Sequence, residues 1–305
     1  HWLYMTAPAA AAALSVPAKG PVATPTRSWW LENMPSSAHP PAVARPPDDA
    51  AEDVVVIGAG MTGCAVAYWL NRLFGQRCAI LDARGCAGGA TGRNGGHLWA
   101  NPDSAFESET TRELLEFIES EDVDCDLTKH GAAAFERRQP ETGVTYSDTP
   151  DDPEAASADV EWSETDTWDS VSCASNVQTD SFVHASVYKD AAQFYPAKVT
   201  AALLRHSQAS LFAPVRVLKI EESECGSHQL VHWSAGTDEG VIRARAVVVA
   251  TNGWAGELLP ELQPFVYATR NQVIMTKPVP GVAEWSIGGL SVDSDIGARE
   301  LYAIR

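Results

Sequence analysis

Three glycines followed by a carboxylate form the most chemically informative pattern in the sequence. Gly58, Gly60 and Gly63 have G-x-G-x-x-G spacing, and Asp82 follows 24 residues after the first of them. In this pattern the first glycine permits a tight turn, the second lets the backbone approach a pyrophosphate, and the third brings a helix close to a strand. An acidic residue placed like Asp82 accepts hydrogen bonds from ribose hydroxyls. The spacing therefore predicts a dinucleotide site, with the phosphates at a helix N-terminus.

The segments around these glycines are the ones that such a site requires. Residues 54–57 are a β-branched run typical of a strand buried on both faces, as in a parallel sheet. The apolar pattern that follows predicts a helix that continues to Phe74 and ends at Gly75, and residues 78–81 predict a second strand. This context favours a nucleotide site over an ordinary βαβ unit that binds nothing.

A second glycine-rich passage occupies residues 88–97. Its five glycines surround Thr91, Arg93 and Asn94, which makes a packed helix or strand unfavourable. Glycines let the backbone lie against a flat ligand, whereas a flexible linker is usually richer in serine and does not require Arg-Asn at its centre. We therefore expect this passage to contact a ligand.

The rest of the chain has a mixed helix and strand pattern. Residues 108–120 and 196–206 predict amphipathic helices. Strands are expected at 132–137, 215–220, 230–234 and 246–250, with turns at 221–228 and near Gly236 and Gly240. The last strand is predicted to be fully buried and to end in a small polar turn at 251–254, where ligands collect in open α/β sheets. Residues 53–100 and 195–256 are thus expected to build one nucleotide-binding domain.

Two segments have unusual composition. Residues 1–50 are rich in proline and alanine and are expected to be mostly extended or disordered, without a signal peptide. Within them the apolar residues 28–31 are expected to dock on the globular body. Residues 141–170 contain ten acidic residues and no Lys or Arg, which predicts a solvated acidic insert.

The overall composition excludes several classes of function. A net charge of −18 argues against nucleic acid or an anionic membrane surface as a partner. No apolar run approaches the roughly 18–20 residues of a membrane span, so we expect a soluble protein. The six cysteines are scattered without metal-site spacing, and His228 and His232 lie along a predicted strand, too far apart to share one ion. We expect no metal and an intracellular, most simply cytoplasmic, location, with peroxisome and mitochondrion left open.

Four motifs in order resemble the D-amino-acid oxidase family of flavoproteins, which includes sarcosine oxidase, glycine oxidase and γ-glutamylputrescine oxidase. They occupy residues 54–63, 81–84, 89–97 and 247–254. The resemblance implies an α/β fold in which a Rossmann-like FAD-binding domain is interleaved with a mixed-sheet substrate domain. The FAD-binding domain is expected at 51–105 and 195–258, and the substrate domain at 106–194 and 259–305, after the N-terminal extension 1–50.

The resemblance implies FAD rather than NAD as the cofactor. By position, 58–63 and Ala90 with Thr91 would meet the pyrophosphate, and Asp82 and Arg84 the adenosine. Residues 94–97 would lie beside the isoalloxazine, Val215 would pair with adenine, and 251–253 would close the phosphate side. The implied cofactor residues are Gly58, Ala59, Gly60, Met61, Thr62, Gly63, Asp82, Ala83, Arg84, Ala90, Thr91, Asn94, Gly95, Gly96, His97, Val215, Thr251, Asn252 and Gly253.

The implied reaction is oxidation of a C–N bond in an amine or amino acid, with O₂ or another acceptor reoxidising the flavin. Arg93 and Arg270 can anchor a substrate carboxylate, although exposed structural arginines are commoner. His97 can act near the flavin, attach it covalently, or only end the glycine passage. Relatives also carry a later glycine-rich segment that completes the active site, beyond the point where this sequence stops at Arg305. An NAD(P)-linked dehydrogenase and a truncated, non-catalytic nucleotide-binding scaffold are the alternatives.

Overall fold

The chain forms two units, each built around its own sheet. The computed structural model describes residues 2–5, 20–22, 25–100, 104–129, 132–137, 160–162, 182–188, 191–266, 268, 272–275, 286–292 and 299–304. Residues 15–93 and 196–269 make up one unit, here called the six-stranded unit. Residues 1–14, 94–195 and 270–305 make up the other, the seven-stranded unit. The chain passes between the units after residues 93 and 195, whereas the sequence suggested a nucleotide-binding domain of 51–105 and 195–258.

Strands and helices are numbered in chain order along the described residues. The strands are β1 (Trp2–Met5), β2 (Ala51–Ile57), β3 (Ala79–Leu81), β4 (His97–Leu98), β5 (Ala132–Arg137), β6 (Val160–Trp162), β7 (Phe182–Tyr188), β8 (Ala192–Gln193), β9 (Ser210–Phe212), β10 (Arg216–Glu222), β11 (Gln229–Ala235), β12 (Asp238–Val249), β13 (Gln272–Met275), β14 (Ser286–Val292) and β15 (Arg299–Ile304). The α-helices are α1 (Trp29–Asn33), α2 (Met61–Phe74), α3 (Ala105–Ser120), α4 (Pro196–Ser207) and α5 (Ala255–Leu258).

The six-stranded unit has a mixed sheet with the order β10-β11-β12-β2-β3-β9. Strands β12, β2, β3 and β9 are parallel to one another, and β10, β11 and β12 form an antiparallel meander. Residues 54–57 are buried, which confirms the strand that the β-branched run predicted. Alternate side chains such as Val55 and Ile57 enter one core cluster with Leu81 and Trp233, as the period of a strand requires.

Helix α2 follows β2 and ends as the sequence predicted. Gly75 lies in the left-handed region with a φ of 63°, and its N–H donates to the Asn71 carbonyl at 2.8 Å. A glycine in this conformation is a common helix C-terminus because it lacks the steric penalty of a Cβ. Helix α2 packs against α4, which is buried on more sides than the single predicted face.

The predicted turn near Gly240 is wrong, and the strand predicted at 246–250 is the end of a longer strand that is not fully buried. Strand β12 runs without a break from Asp238 to Val249, and Ala246 is exposed rather than buried. Gly240 is paired with Trp233 on β11, and a Cβ at Gly240 would lie 2.5 Å from the indole ring. The glycine therefore makes room for a buried cross-strand indole and does not mark a turn.

Much of the N-terminal extension is structured. The buried Trp30 of α1 confirms that residues 28–31 dock on the globular body. Val43 forms a parallel bridge with Phe212 at the edge of the six-stranded sheet, and β1 pairs with β13 and β15 in the other unit. The expectation of disorder is thus wrong for these stretches, because contacts with distant segments fix them, whereas β1 is extended as expected.

The seven-stranded unit has a mixed sheet with the order β13-β1-β15-β14-β5-β7-β6. Strands β14 and β5 are parallel, and the other neighbouring pairs among the described strands of this sheet are antiparallel. A short antiparallel ribbon joins β4 to β8. Helix α3 begins at Ala105 with Ser104 as its N-cap, three residues before the predicted start. The acidic insert 141–170 lies outside the described residues except for β6. No helix in the described part of the chain is long and apolar enough to cross a membrane.

Candidate functional site

The predicted nucleotide motifs meet at one edge of the six-stranded sheet. Because β12, β2, β3 and β9 are parallel, the segments that follow them leave the sheet on the same side. The Gly58 N–H donates to the Leu81 carbonyl at 2.8 Å, and the Ala250 N–H donates to the Ile57 carbonyl at 2.8 Å. This carboxyl edge is where open α/β sheets bind their ligands.

The three glycines of the first motif differ in what an added side chain would contact. At Gly58 the φ is 110°, and an added Cβ would lie 2.5 Å from the Ala250 carbonyl oxygen. At Gly63 a Cβ would lie 1.9 Å from the Gly58 carbonyl oxygen, so the helix can approach the strand only without a side chain. At Gly60 the one contact that an added Cβ would make with the described residues, its chain neighbours aside, is with Thr91 Oγ1, at 3.2 Å. Packing therefore requires the outer glycines, whereas the middle one leaves open backbone that a phosphate can approach.

Asp82 fixes the shape of this turn as well as offering a ligand group. Its Oδ2 accepts the Ala59 N–H at 2.8 Å, and its Oδ1 accepts the N–H groups of Arg84 and Gly85, each at 2.7 Å. An ionised carboxylate has about four acceptor positions, so three backbone bonds leave capacity for a ribose hydroxyl. The sequence predicted the ligand role and missed the structural one.

The second glycine-rich passage contacts the first motif directly. Residues Ala90–Gly92 form a 3-10 helix, and Thr91 Oγ1 accepts the Met61 N–H at 3.0 Å. The Ala87 N–H donates to the Ala59 carbonyl at 2.8 Å. The first N–H groups of a helix have no acceptor within the helix. At the N-terminus of α2, Thr91 supplies the missing acceptor for the Met61 N–H. The structure thus brings Ala90 and Thr91 to the turn where the sequence predicted a pyrophosphate.

Two polar atoms at this edge are buried without a hydrogen-bond partner among the residues that the structure describes. They are Thr251 Oγ1, which follows β12, and Arg84 Nε, whose neighbouring Nη1 donates to the Gly88 carbonyl at 3.2 Å. Leaving a buried polar atom unsatisfied typically costs about 1–3 kcal/mol, so a ligand oxygen at such a position is stabilising. Asn252 and Gly253 begin the 3-10 helix after Thr251. These atoms, the open Gly60 backbone and the spare capacity of Asp82 fit the diphosphate and ribose of a dinucleotide.

The adenine contact predicted at Val215 meets an obstacle in this arrangement. Val215 is fully buried, and its N–H donates to the Asp82 carbonyl oxygen at 2.8 Å. A hydrogen bond from this N–H to adenine would therefore require the bond to Asp82 to break. The pairing stays a prediction.

The end of the second passage belongs to the seven-stranded unit. Asn94 Oδ1 accepts the Gly96 N–H at 2.8 Å, and the Gly96 carbonyl accepts the Phe194 N–H at 2.9 Å. His97 pairs with Gln193 in the ribbon, and burial lowers the pKa of His97 to about 4. The imidazole is therefore neutral at physiological pH, which suits hydrogen bonding more than attraction of an anion.

Of the two arginines predicted to anchor a substrate, only Arg93 lies in the described part of the chain. Its Nη1 donates to Thr26 Oγ1 at 2.9 Å. Burial, and secondarily the positive charge of Arg84, lower the pKa of the Arg93 guanidinium. Arg270 lies outside the described residues. The part played by Thr26 and by the neighbouring Ser28 was not predicted, although a serine before the apolar residues 29–31 is a recognisable N-cap signal.

Among the described residues, no group of three or more His, Cys, Asp or Glu side chains is arranged to hold a metal ion.

Comparison with known proteins identifies the family and the fold. Residues 53–305 match the family model described as DAO: FAD dependent oxidoreductase. The probable oxidoreductase OrdL of Rhizobium meliloti (strain 1021) is 25% identical over 296 residues, which cover 88% of this chain and 64% of that protein. The chain thus spans less than two thirds of the length of this curated relative. Because the family is defined by FAD, the NAD(P)-linked alternative is not retained.

Solved structures share the fold at low sequence identity. Glycine oxidase from Geobacillus kaustophilus has a TM-score of 0.57 at 18% identity, covering 83% of this chain and 70% of its own. L-proline dehydrogenase from P. horikoshii has a TM-score of 0.59 at 15% identity, covering 85% and 70%. L-amino acid deaminase from Proteus myxofaciens has a TM-score of 0.57 at 16% identity, covering 82% and 56%. At these identities the likeness shows the fold alone.

Proposed function

The chain belongs to the FAD dependent oxidoreductase family, and from this premise we propose that it oxidises the C–N bond of an amine or amino acid. The substrate loses a hydride and a proton, water hydrolyses the resulting imine, and O₂ or another acceptor takes the electrons. FAD, when bound, supplies the hydride acceptor. An amino-acid substrate is favoured by the names of three structural relatives, a glycine oxidase, an L-proline dehydrogenase and an L-amino acid deaminase.

The observation that carries the proposal is the convergence of both glycine-rich passages on the N-terminus of α2. The backbone at Gly60 is open, and the hydroxyl of Thr91 lies against it. A diphosphate placed there is stabilised by the helix dipole and by N–H groups without intrahelical acceptors. Asp82 would bind the ribose with its remaining acceptor capacity, and Thr251 would donate its hydroxyl to a phosphate oxygen.

In the seven-stranded unit, we assign His97 a hydrogen-bonding or proton-accepting role. Burial lowers the pKa of His97 to about 4, which keeps the ring neutral and favours the hydrogen-bonding role, because the buried ring resists taking up a proton. A fixed cation at this position would repel the ammonium form of the substrate, so a neutral imidazole is the better choice. Anchoring of a substrate carboxylate by Arg93 or Arg270 remains a prediction from the sequence.

We place this activity in the cytoplasm. The five described cysteines are free, and four of them are buried or half-buried within the units. Free thiols of this kind suit a reducing compartment.

The proposal is tested with the purified chain by absorption spectroscopy. We expect oxidised-flavin bands, release of FAD on denaturation unless the cofactor is covalently bound, and bleaching of the bands when a panel of amino acids and amines is added anaerobically. Gly60→Ala is the matched control, because its added methyl group obstructs the phosphate position and little else. A chain that binds no flavin, or whose bound flavin no amine or amino acid reduces, would refute the proposed activity. Bound flavin that no amine or amino acid reduces would favour the non-catalytic scaffold.

A further inference from the structure

The N-terminal segment 25–34 is bonded to the second glycine-rich passage through one serine. Ser28 is buried, and its hydroxyl donates to the Gly92 carbonyl oxygen at 2.5 Å. Ser28 Oγ also accepts the Leu31 N–H at 3.2 Å, so Ser28 is the N-cap of α1. One side chain therefore caps the N-terminus of a helix and also binds a loop 64 residues away in sequence.

A second polar contact joins the same two segments. Thr26 Oγ1 accepts a hydrogen bond from Arg93 Nη1 at 2.9 Å, next to the Ser28 contact in both segments. Arg93 needs such a restraint because it is half-buried and lies close enough to Arg84 for their charges to repel. Neither arginine forms an ion pair with a carboxylate among the described residues. A neutral hydroxyl thus orients Arg93 without cancelling its charge.

Segment 25–34 is itself firmly seated. Trp30 and Met34 are buried, and α1 packs against both α4 and the 3-10 helix Ala90–Gly92. Leu31 approaches that 3-10 helix closely: its Cγ lies 3.5 Å from where a Cβ on Gly92 would stand. Because buried aromatic side chains contribute strongly to packing, the segment can hold the passage against a fixed support.

We propose that segment 25–34 positions the cofactor site by holding Gly92 and Arg93, and with them Thr91, against the N-terminus of α2. The inference rests on the proposed function, since the site being positioned is the FAD diphosphate site. Ser28 and Thr26 are positioning residues that act through the glycine-rich passage. They give residues outside the matched family region 53–305 a part in binding the cofactor.

The test compares the FAD affinity of three serine variants of the full chain, measured by quenching of flavin fluorescence on titration of the apoprotein. Ser28→Ala removes both bonds of the hydroxyl and is expected to weaken FAD binding about tenfold. Ser28→Thr retains the hydroxyl and is expected to restore affinity to within about twofold of the original chain. Ser104→Ala removes the N-cap of α3 in the other unit and should lower stability without changing FAD affinity.

Thermal unfolding of the apoproteins separates positioning from general stability. If Ser28→Ala lowers the unfolding midpoint as Ser104→Ala does but binds FAD like the original chain, the inference is overturned. Should Ser28→Ala not fold, Thr26→Val decides, because Thr26 is exposed and its loss leaves the packing intact. It is expected to weaken FAD binding about threefold by releasing Arg93, and unchanged affinity would overturn the inference. Failure of the unsubstituted chain to bind FAD would refute the proposed function instead.

Discussion

The two glycine-rich passages reach the same helix N-terminus by different physical means. In residues 58–63 the backbone path is set by close packing, since added methyl groups at Gly58 and Gly63 would overlap carbonyl oxygens. In residues 88–97 packing also acts, since a Cβ at Gly92 would lie 2.4 Å from the Ala87 carbonyl oxygen, and polar contacts with distant segments add to it, through Thr91, through the carbonyl of Gly92 and through Arg93. The first passage is therefore fixed by backbone packing that includes the distant Ala250, whereas the second also relies on polar contacts with segments as far away in sequence as Phe194.

The largest expected effect comes from adding a methyl group to a glycine in each passage, which tests where close packing fixes the backbone. Gly63→Ala is expected to reduce the free energy of unfolding by about 3 kcal/mol or more, since its Cβ would lie 1.9 Å from a backbone oxygen. Gly89→Ala is the matched control for overlap, because among the described residues no atom lies within 4 Å of a Cβ there. Denaturant unfolding of both variants measures the difference. Equal losses would show that packing does not distinguish the passages.

The end of the second passage predicts a dependence on pH. Folding lowers the pKa of His97 from about 6.5 to about 4, so between these values the unfolded chain binds the proton and the folded chain does not. Stability from this group is complete above pH 6.5 and is lost as the pH falls to 4, by about 3 kcal/mol in total. His97→Gln should remove that part of the acid sensitivity in chemical unfolding measured from pH 4 to 7. An unchanged pH profile in the variant would contradict the burial argument.

A smaller effect is expected at the contact between the passages. Thr91→Val keeps the shape of the side chain but removes the acceptor of the Met61 N–H, and should cost about 1 kcal/mol of unfolding free energy. Thr91→Ser retains the acceptor and serves as the control. If valine and serine are equally stable in urea unfolding, the hydroxyl does not hold the two passages together.

The same contrast explains what the sequence could predict. The strand 54–57, the helix that ends at Gly75 and the glycine turn follow from local patterns, and the structure confirms these elements. The family resemblance predicted the interleaved α/β organisation with a mixed second sheet. Local patterns failed where a residue serves a distant partner. Gly240 resembles a turn residue in sequence, but it makes room for Trp233 across the ladder.

The N-terminal extension illustrates the same limit. Its proline content indicates a chain that cannot fold alone, and that inference takes no account of partners elsewhere in the protein. Trp30 is buried, and Ser28 donates a hydrogen bond to the Gly92 carbonyl. Val43 forms a bridge with Phe212 at the edge of the sheet. Asp82 shows the converse, because the motif marks it as a ligand residue, whereas its backbone contacts with Ala59, Arg84 and Gly85 have no signal in the motif.

Gly60→Ala has the smallest expected effect on stability and tests the central claim most directly. Its Cβ would meet only Thr91 Oγ1, at 3.2 Å, so the unfolding free energy of the apoprotein should change by less than about 1 kcal/mol. The methyl group would stand where the backbone must approach the diphosphate, and titration with FAD should show binding at least about tenfold weaker than in the unsubstituted chain. Unchanged FAD affinity in a folded Gly60→Ala chain would contradict the placement of the cofactor at this turn.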